Sequence, residues 1–288
     1  MGEKSTSRMM GISSLLLLTL IWGTTFPEIK IVVTSIGYSY YVALRFGIAT
    51  LLLSPWAFLR RSNLASTLRP GALLGLLFFG GITLQGLGME YTSSSNAAFI
   101  TGLSVVIIYV VEVVSGREKP SRRLATAVVL SIAGLYLISF TERFEPRIGD
   151  LIVLAGAFFW AFQIISAGIY SKLYALDCLL YLQNAFTAAG GLVLISFSQP
   201  PTTLGLNDIL LHLLYLSTGC TILANFLQLY GQRRVRNVEA AIIYLMEPVF
   251  AAFFSYIIMG EVLTFRQYIG AALILMAMII SSLPDRRE

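Results

Sequence analysis

Asn96-Ala97-Ala98-Phe99-Ile100 returns in the second half of the chain as Glu239-Ala240-Ala241-Ile242-Ile243, and the register set by this pairing holds well beyond five residues. It places Gln85 over Gln228, Gly88 over Gly231, Glu118 over Glu261 and Ser139 over Ser282. A slightly shorter offset aligns the earlier segments, with Trp22 over Trp160, Thr25 over Gln163 and Arg45 over Gln183. The chain therefore reads as a duplication, divided into residues 1–144 and 145–288.

What is duplicated is a membrane unit. A chain of 288 residues that is 57% hydrophobic and 12% charged, with a mean hydropathy of +0.79, is not a water-soluble globule of ordinary composition. Apolar runs broken by charge, proline or polar clusters lie near 11–33, 38–59, 70–91, 95–115, 123–141, 149–171, 177–198, 208–231, 237–259 and 265–284. Each is long enough for a helix to cross the hydrocarbon, which takes roughly 20 apolar residues. They are too long and too uniformly apolar for the alternating strands of a membrane barrel. The first run follows Lys4 and Arg8 and continues through Trp22-Gly23-Thr24-Thr25-Phe26 without a small-residue cleavage site, so we read it as a retained helix. The expected fold is an all-α integral membrane protein with ten transmembrane helices and no separate soluble domain.

Charge gives the orientation. With the N-terminus inside, fifteen of the 20 Lys and Arg residues fall on the cytoplasmic side; Lys30, Arg143, Arg147 and Arg266 fall on the other, and Arg45 lies within a span. Both termini are expected in the cytoplasm, in an inner membrane. Five spans per half is an odd number, so the second copy must enter the bilayer upside down. Two inverted five-helix repeats are a common plan of secondary transporters, with the substrate site near the midplane between the halves.

Other classes find little support. The net charge of +5 comes from basic residues between apolar runs, which argues against nucleic-acid binding. Cys178 and Cys220 sit in or beside apolar runs and read as two inert thiols. His212 reads as an interfacial or packed imidazole, and one histidine with two cysteines leaves no expected metal site or cofactor. An intramembrane enzyme lacks a Ser/His pair and a pair of mid-span aspartates, because Asp150, Asp177 and Asp208 all lie at helix ends.

Trp22-Gly23-Thr24-Thr25-Phe26, Tyr91-Thr92-Ser93-Ser94-Ser95-Asn96-Ala97-Ala98-Phe99, Leu245-Met246-Glu247-Pro248-Val249-Phe250-Ala251 and Gly260-Glu261 together resemble the EamA branch of the drug/metabolite transporter superfamily. The resemblance spans both halves. It implies an alternating-access carrier, commonly an exporter of amino acids or other small metabolites. It also implies that helices one, three, four, six, eight and nine surround a central cavity while five and ten pack outside. Ser104-Val105 stands in the fourth helix where the ninth has Glu247-Pro248, so the two sides of that cavity should differ chemically.

Glu247 is the sharpest candidate, because a carboxylate near the bilayer centre costs several kcal/mol unless it is protonated, paired or wetted. Pro248 beside it removes a backbone donor. Glu247 would bind substrate or carry a coupling proton; in an interhelical hydrogen bond it would merely lock the bundle. Glu28 and Arg45, at similar depths in the first hairpin, are expected to pair as a gate or clamp, with Arg45 alternatively holding a substrate carboxylate. Trp22 and Trp160 offer mid-span aromatic walls, with Thr25 and Gln163 one turn on. Gln85, Asn225 and Gln228 add amides that should point inward, and Tyr109 and Tyr244 add hydroxyls, with packing open as the alternative for each. Glu112, Glu118 and Glu261 read as structural groups near helix ends, and Asn96 and Glu239 as helix-entry caps. Gly75, Gly80, Gly81, Gly86 and Gly88 would let the third helix approach a neighbour closely.

The partners expected are the bilayer, a small-molecule substrate and protons as a candidate coupling ion. The expected substrate is zwitterionic or neutral and polar, such as an amino acid. Amphipathic cations or drugs are the alternative substrates, and a passive channel or a scaffold the alternative class. Oligomeric state is not legible.

Overall fold

The computed structural model describes residues 2–59, 61–92, 94–139, 147–199, 206–259 and 264–283. Arg60, Arg143, Glu261, Arg286 and Arg287 lie outside the described residues, as does the boundary between the halves; so do the side chains of Lys4, Lys30, Arg61, Asn96 and Asp208. Among the described residues every element is helical.

The first half comprises α1 (Gly2–Gly23), α2 (Thr25–Ile36), α3 (Tyr38–Leu59), α4 (Arg61–Met89), α5 (Ser94–Gly102), α6 (Ser104–Val114) and α7 (Arg122–Ser139). The second comprises α8 (Ile148–Leu173), α9 (Leu176–Ile195), α10 (Leu206–Ser217), α11 (Ala224–Gln232), α12 (Asn237–Tyr244), α13 (Met246–Met259) and α14 (Phe265–Ser282), with a π-helical turn at Thr218–Leu223 joining α10 to α11. Among the described residues nine helical stretches are long and apolar enough to cross a membrane. The expected span 237–259 is the tenth, divided into α12 and α13. Lipid-facing side chains such as Leu51, Leu59, Val114, Leu192 and Phe197 are exposed, as an apolar solvent allows.

Three spans are interrupted, and the sequence explains two of the breaks. Proline lacks the N–H that would reach the carbonyl four residues back. Pro27 frees the carbonyl of Gly23, where α1 ends, and Pro248 frees that of Tyr244, where α12 ends. Each proline is the third residue of the outgoing helix, where its fixed φ is tolerated. Pro55 does not break α3, because the Ser54 hydroxyl donates to the freed Leu51 carbonyl at 2.8 Å. The fourth span breaks without proline, after Gly102, a residue of low helix propensity. Span 6 contains no proline and runs unbroken as α8.

The inversion is visible in reciprocal contacts. A Cβ at Gly88 would lie 2.9 Å from the Gly149 carbonyl oxygen, and one at Gly149 would lie 2.5 Å from that of Gly88. The repeat-related pair behaves alike: a Cβ at Gly11 would lie 3.1 Å from the Gly231 carbonyl oxygen, and one at Gly231 would lie 3.0 Å from that of Gly11. The first contact joins spans 3 and 6 at the end of the bundle away from the termini; the second joins spans 1 and 8 at the end that carries them. The equivalent contacts thus sit at opposite ends. Spans 5 and 10 run antiparallel and meet where Gly134 and Gly270 each face the other's carbonyl. Gly75, Gly80 and Gly81 likewise let α4 press against Phe186 of α9 and against Phe159 and Trp160 of α8. Gly37, at φ 80, turns the chain from α2 into α3.

The described basic side chains, apart from Arg45, Arg147 and Arg266, gather at the end of the bundle that carries the termini, hereafter the terminal end.

Candidate functional site

A cavity of about 270 Å³ lies between the halves. Its walls come from the six spans that the resemblance implied, together with Leu135 of span 5 and, less expectedly, span 2 through Tyr38, Tyr41 and Arg45. Trp22, Thr25, Gln85, Trp160, Gln228, Tyr244 and Glu247 all line it, as expected from sequence.

Glu247 is the second residue of α13, immediately beyond the break, and is half-buried. No hydrogen bond or ion pair to it occurs among the described residues. An acid so placed gains from the partial positive charge at a helix start. Ser104 holds the equivalent place at the start of α6 and also lines the cavity.

The two tryptophans are held differently. Trp160 Nε1 donates to Gln85 Oε1 at 3.1 Å, fixing the ring against α4 and edge-on to Phe78 at 4.9 Å. Trp22 Nε1 donates instead to the backbone carbonyl of Cys220 in the π turn, at 3.3 Å, with Tyr244 6.1 Å away. Gln163 and Asn225 do not reach the cavity. Gln163 sits behind Gln228, exchanging hydrogen bonds with it at 3.0 and 3.5 Å and donating to Gln183 at 3.2 Å; Asn225 is buried one turn from Gln228. Tyr109 is also excluded. It lies in α6 on the terminal side of the break, where its hydroxyl meets the backbone of Ser121 at 3.4 and 3.5 Å.

The expected pairing of Glu28 with Arg45 does not form. Glu28 projects from α2 toward α10 and meets His212, with Oε2 2.5 Å from Nδ1. Thr24 and Tyr215 join the same two spans one turn away, oxygen to oxygen at 2.5 Å. Arg45 turns into the cavity wall. Its Nε donates to Thr221 Oγ1 at 2.6 Å, Nη2 donates to the Cys220 carbonyl at 2.8 Å, and Nη1 donates to the Tyr41 hydroxyl. The Cys220 carbonyl, within the π turn, thus accepts from both Trp22 and Arg45.

The ends of the bundle differ. Toward the terminal end the cavity stops at an apolar plug that includes Leu15, Leu18, Ile108, Val238 and Ile242, each at most 1% exposed. Beyond it the entry to span 9 reaches several neighbours. Glu239 is fully buried and accepts from Arg8 of span 1 at 2.7 Å. Asn237 donates to Glu112 of α6, which also pairs with Arg117, both at 3.2 Å. Arg236 pairs with Glu118 at 3.5 Å and donates to the Ser281 carbonyl at 3.2 Å. Glu112 and Glu239 are therefore not solvent-reachable end groups or caps but buried members of an interhelical clasp. The helix-entry position hid this, since it reveals nothing of the arginine folded over it. Toward the other end the lining continues to Tyr38, at the start of α3, and to the exposed Met89, at the end of α4.

The sequence and the fold both have counterparts. The EamA-like transporter family model matches residues 9–140 and again 147–283. An uncharacterized transporter of Archaeoglobus fulgidus is 32% identical over 98% of this chain and 89% of its own length. An uncharacterized inner membrane transporter of Salmonella typhimurium, YicL, is 26% identical over 96% of this chain and 97% of its own. YoaV, an uncharacterized transporter of Bacillus subtilis, is 26% identical over 92% and 93%. A crystal structure covering 98% of both chains superposes with a TM-score of 0.83 at 16% identity, a likeness of fold.

Proposed function

Starting from the fact that this chain belongs to the EamA-like transporter family, in both of its halves, we propose that it exports amino acids or similar zwitterionic or neutral polar metabolites by alternating access. The observation that carries this reading is one cavity walled by both inverted halves, whose lining reaches the exposed Met89 toward one end of the bundle, with a buried apolar plug and a polar clasp toward the other. A volume of about 270 Å³ falls just below the usual range for ligand sites and suits a small metabolite better than a drug-sized one. In this reading the repeats are residues 1–144 and 145–288, both termini are cytoplasmic, the membrane is the inner membrane, and the cavity faces outward.

The sequence carries no phosphate-binding motif, so in this reading the energy comes from a gradient. Glu247, which has no hydrogen bond or ion pair among the described residues, takes a proton from one side and releases it to the other as the halves exchange access. Tryptophan walls and a free acid would also attract an amphipathic cation. The Arg45 guanidinium in the same cavity weighs against that substrate.

Proteoliposome flux tests the reading. Wild type should show saturable counterflow of a labelled amino-acid mixture and net transport driven by a proton gradient. Glu247→Gln should retain saturable counterflow, at a raised KM, and lose net transport. Undiminished proton-driven flux in that variant would remove Glu247 from coupling, and flux linear in solute concentration would make the protein a channel.

A further inference from the structure

Arg45 is 5% exposed, lies within a membrane span and touches only neutral acceptors among the described residues. A buried charge is normally paired, since desolvation costs several kcal/mol per ion. Glu28, the acid nearest to it in the sequence of the first hairpin, is engaged with His212. Glu247 lines the same cavity but is not among Arg45's ion-pair partners. The ring faces of Tyr41 and Phe46, 5.7 and 5.3 Å from the guanidinium carbon, relieve part of the cost.

The geometry also leaves the arginine only partly used. Of the five N–H groups of a guanidinium, three meet the Thr221 hydroxyl, the Tyr41 hydroxyl and the Cys220 carbonyl. One N–H on each terminal nitrogen is left without a hydrogen-bond partner among the described residues. Thr221 is itself oriented, since its hydroxyl donates to the Leu216 carbonyl at 2.8 Å and therefore presents a lone pair to Arg45 Nε. The side chain is thus braced from behind by the π turn and lines the cavity in front. At the equivalent position the other half carries Gln183, which is fully buried, neutral and absent from the lining.

We infer that Arg45, braced by Thr221 and the Cys220 carbonyl, is a recognition site for the carboxylate of the transported solute, and that Thr221 acts through it as a positioning residue. The bound carboxylate supplies the missing anion and accepts hydrogen bonds from the N–H groups that remain. With Glu247 elsewhere on the cavity wall to meet an ammonium group, the solute is a zwitterion held at both charges, and an amine without a carboxylate meets an uncompensated cation. This inference rests on the carrier reading above and narrows its substrate class.

The test compares matched head groups. Purified protein is screened by thermal shift, and in proteoliposomes by counterflow, against alanine, leucine and phenylalanine, each beside its carboxamide and its decarboxylated amine. Wild type should prefer the free carboxylate by at least tenfold in at least one series. Arg45→Gln, which installs the residue of the other half, should abolish that preference. Thr221→Val, which removes only the brace, should raise KM and reduce the carboxylate-to-amide ratio several-fold at unchanged kcat, an effect that simple loss of packing would not produce. Equal binding of acids and amides by wild type, a preference that survives in folded Arg45→Gln, or the absence of binding by every acid would overturn the assignment. Counterflow of amines alone would sink it and leave the carrier reading standing, whereas the absence of any saturable flux would sink the carrier reading.

Discussion

The two walls of the cavity occupy equivalent positions in the duplicated unit and carry different chemistry. Trp22 and Trp160 correspond, yet one hangs from a backbone carbonyl in a π turn and the other from a glutamine side chain. Arg45 answers Gln183, Thr25 answers Gln163, and Ser104 answers Glu247. Duplication supplied the frame, two inverted bundles meeting at glycine contacts, and substitution at a handful of inward positions supplied the charge. The repeats pack alike at their glycine contacts and differ in the groups they present to the cavity. On the reading proposed above, the solute is oriented by the residues that break the symmetry.

Making the halves alike should therefore abolish function while leaving the fold intact. Glu247→Ser gives the ninth span the residue of the fourth and should eliminate concentrative transport, measured as proton-driven accumulation in vesicles, while the protein still elutes as a folded species. The packing half of the comparison makes the opposite claim. Gly88→Leu and Gly231→Leu each force a side chain against a facing backbone, and overpacking of this kind costs about 1–3 kcal/mol. Their losses in thermal stability should be similar; a large loss at one glycine alone would show that the two contacts are not equivalent.

The ends of the bundle offer a smaller effect. Glu239→Gln weakens the bond from Arg8 and leaves the plug in place, so the balance should shift toward opening at the terminal end. A cysteine placed at Ala98 should then react with reagent from that side about tenfold faster, equivalent to roughly 1.4 kcal/mol. An unchanged rate would make the clasp a passive brace. Smallest of all, Thr25→Gln installs the second half's residue in the first without adding charge, and should move KM by no more than about threefold in the counterflow assay.

Much of this was legible in the sequence because a bilayer punishes polarity. Trp22, Trp160, Gln85, Gln228 and Glu247 stand out from their apolar runs and do line the cavity. The duplication, the spans and the segregation of basic residues followed from counting. What escaped depends on geometry that uniform helices do not predict. A π turn changes the phase of span 8, so nothing in an α-helical register points Thr221 and the Cys220 carbonyl at Arg45. Depth estimates alone put Glu28 beside Arg45, but the break at Thr24 separates α2 from α1, and Glu28 faces α10. Gln163 has the right face and is simply screened by Gln228. Tyr109 lies beyond the break in the fourth span, on the plugged side.

Filling the chamber probes the account most directly. Ala98 lines it, and Ala98→Trp would place an indole in a space of about 270 Å³. Counterflow of a labelled amino-acid mixture through proteoliposomes should be saturable in wild type and lost in this variant at equal protein content and equal thermal stability. Saturable flux persisting at the wild-type rate would mean that the solute travels by another route.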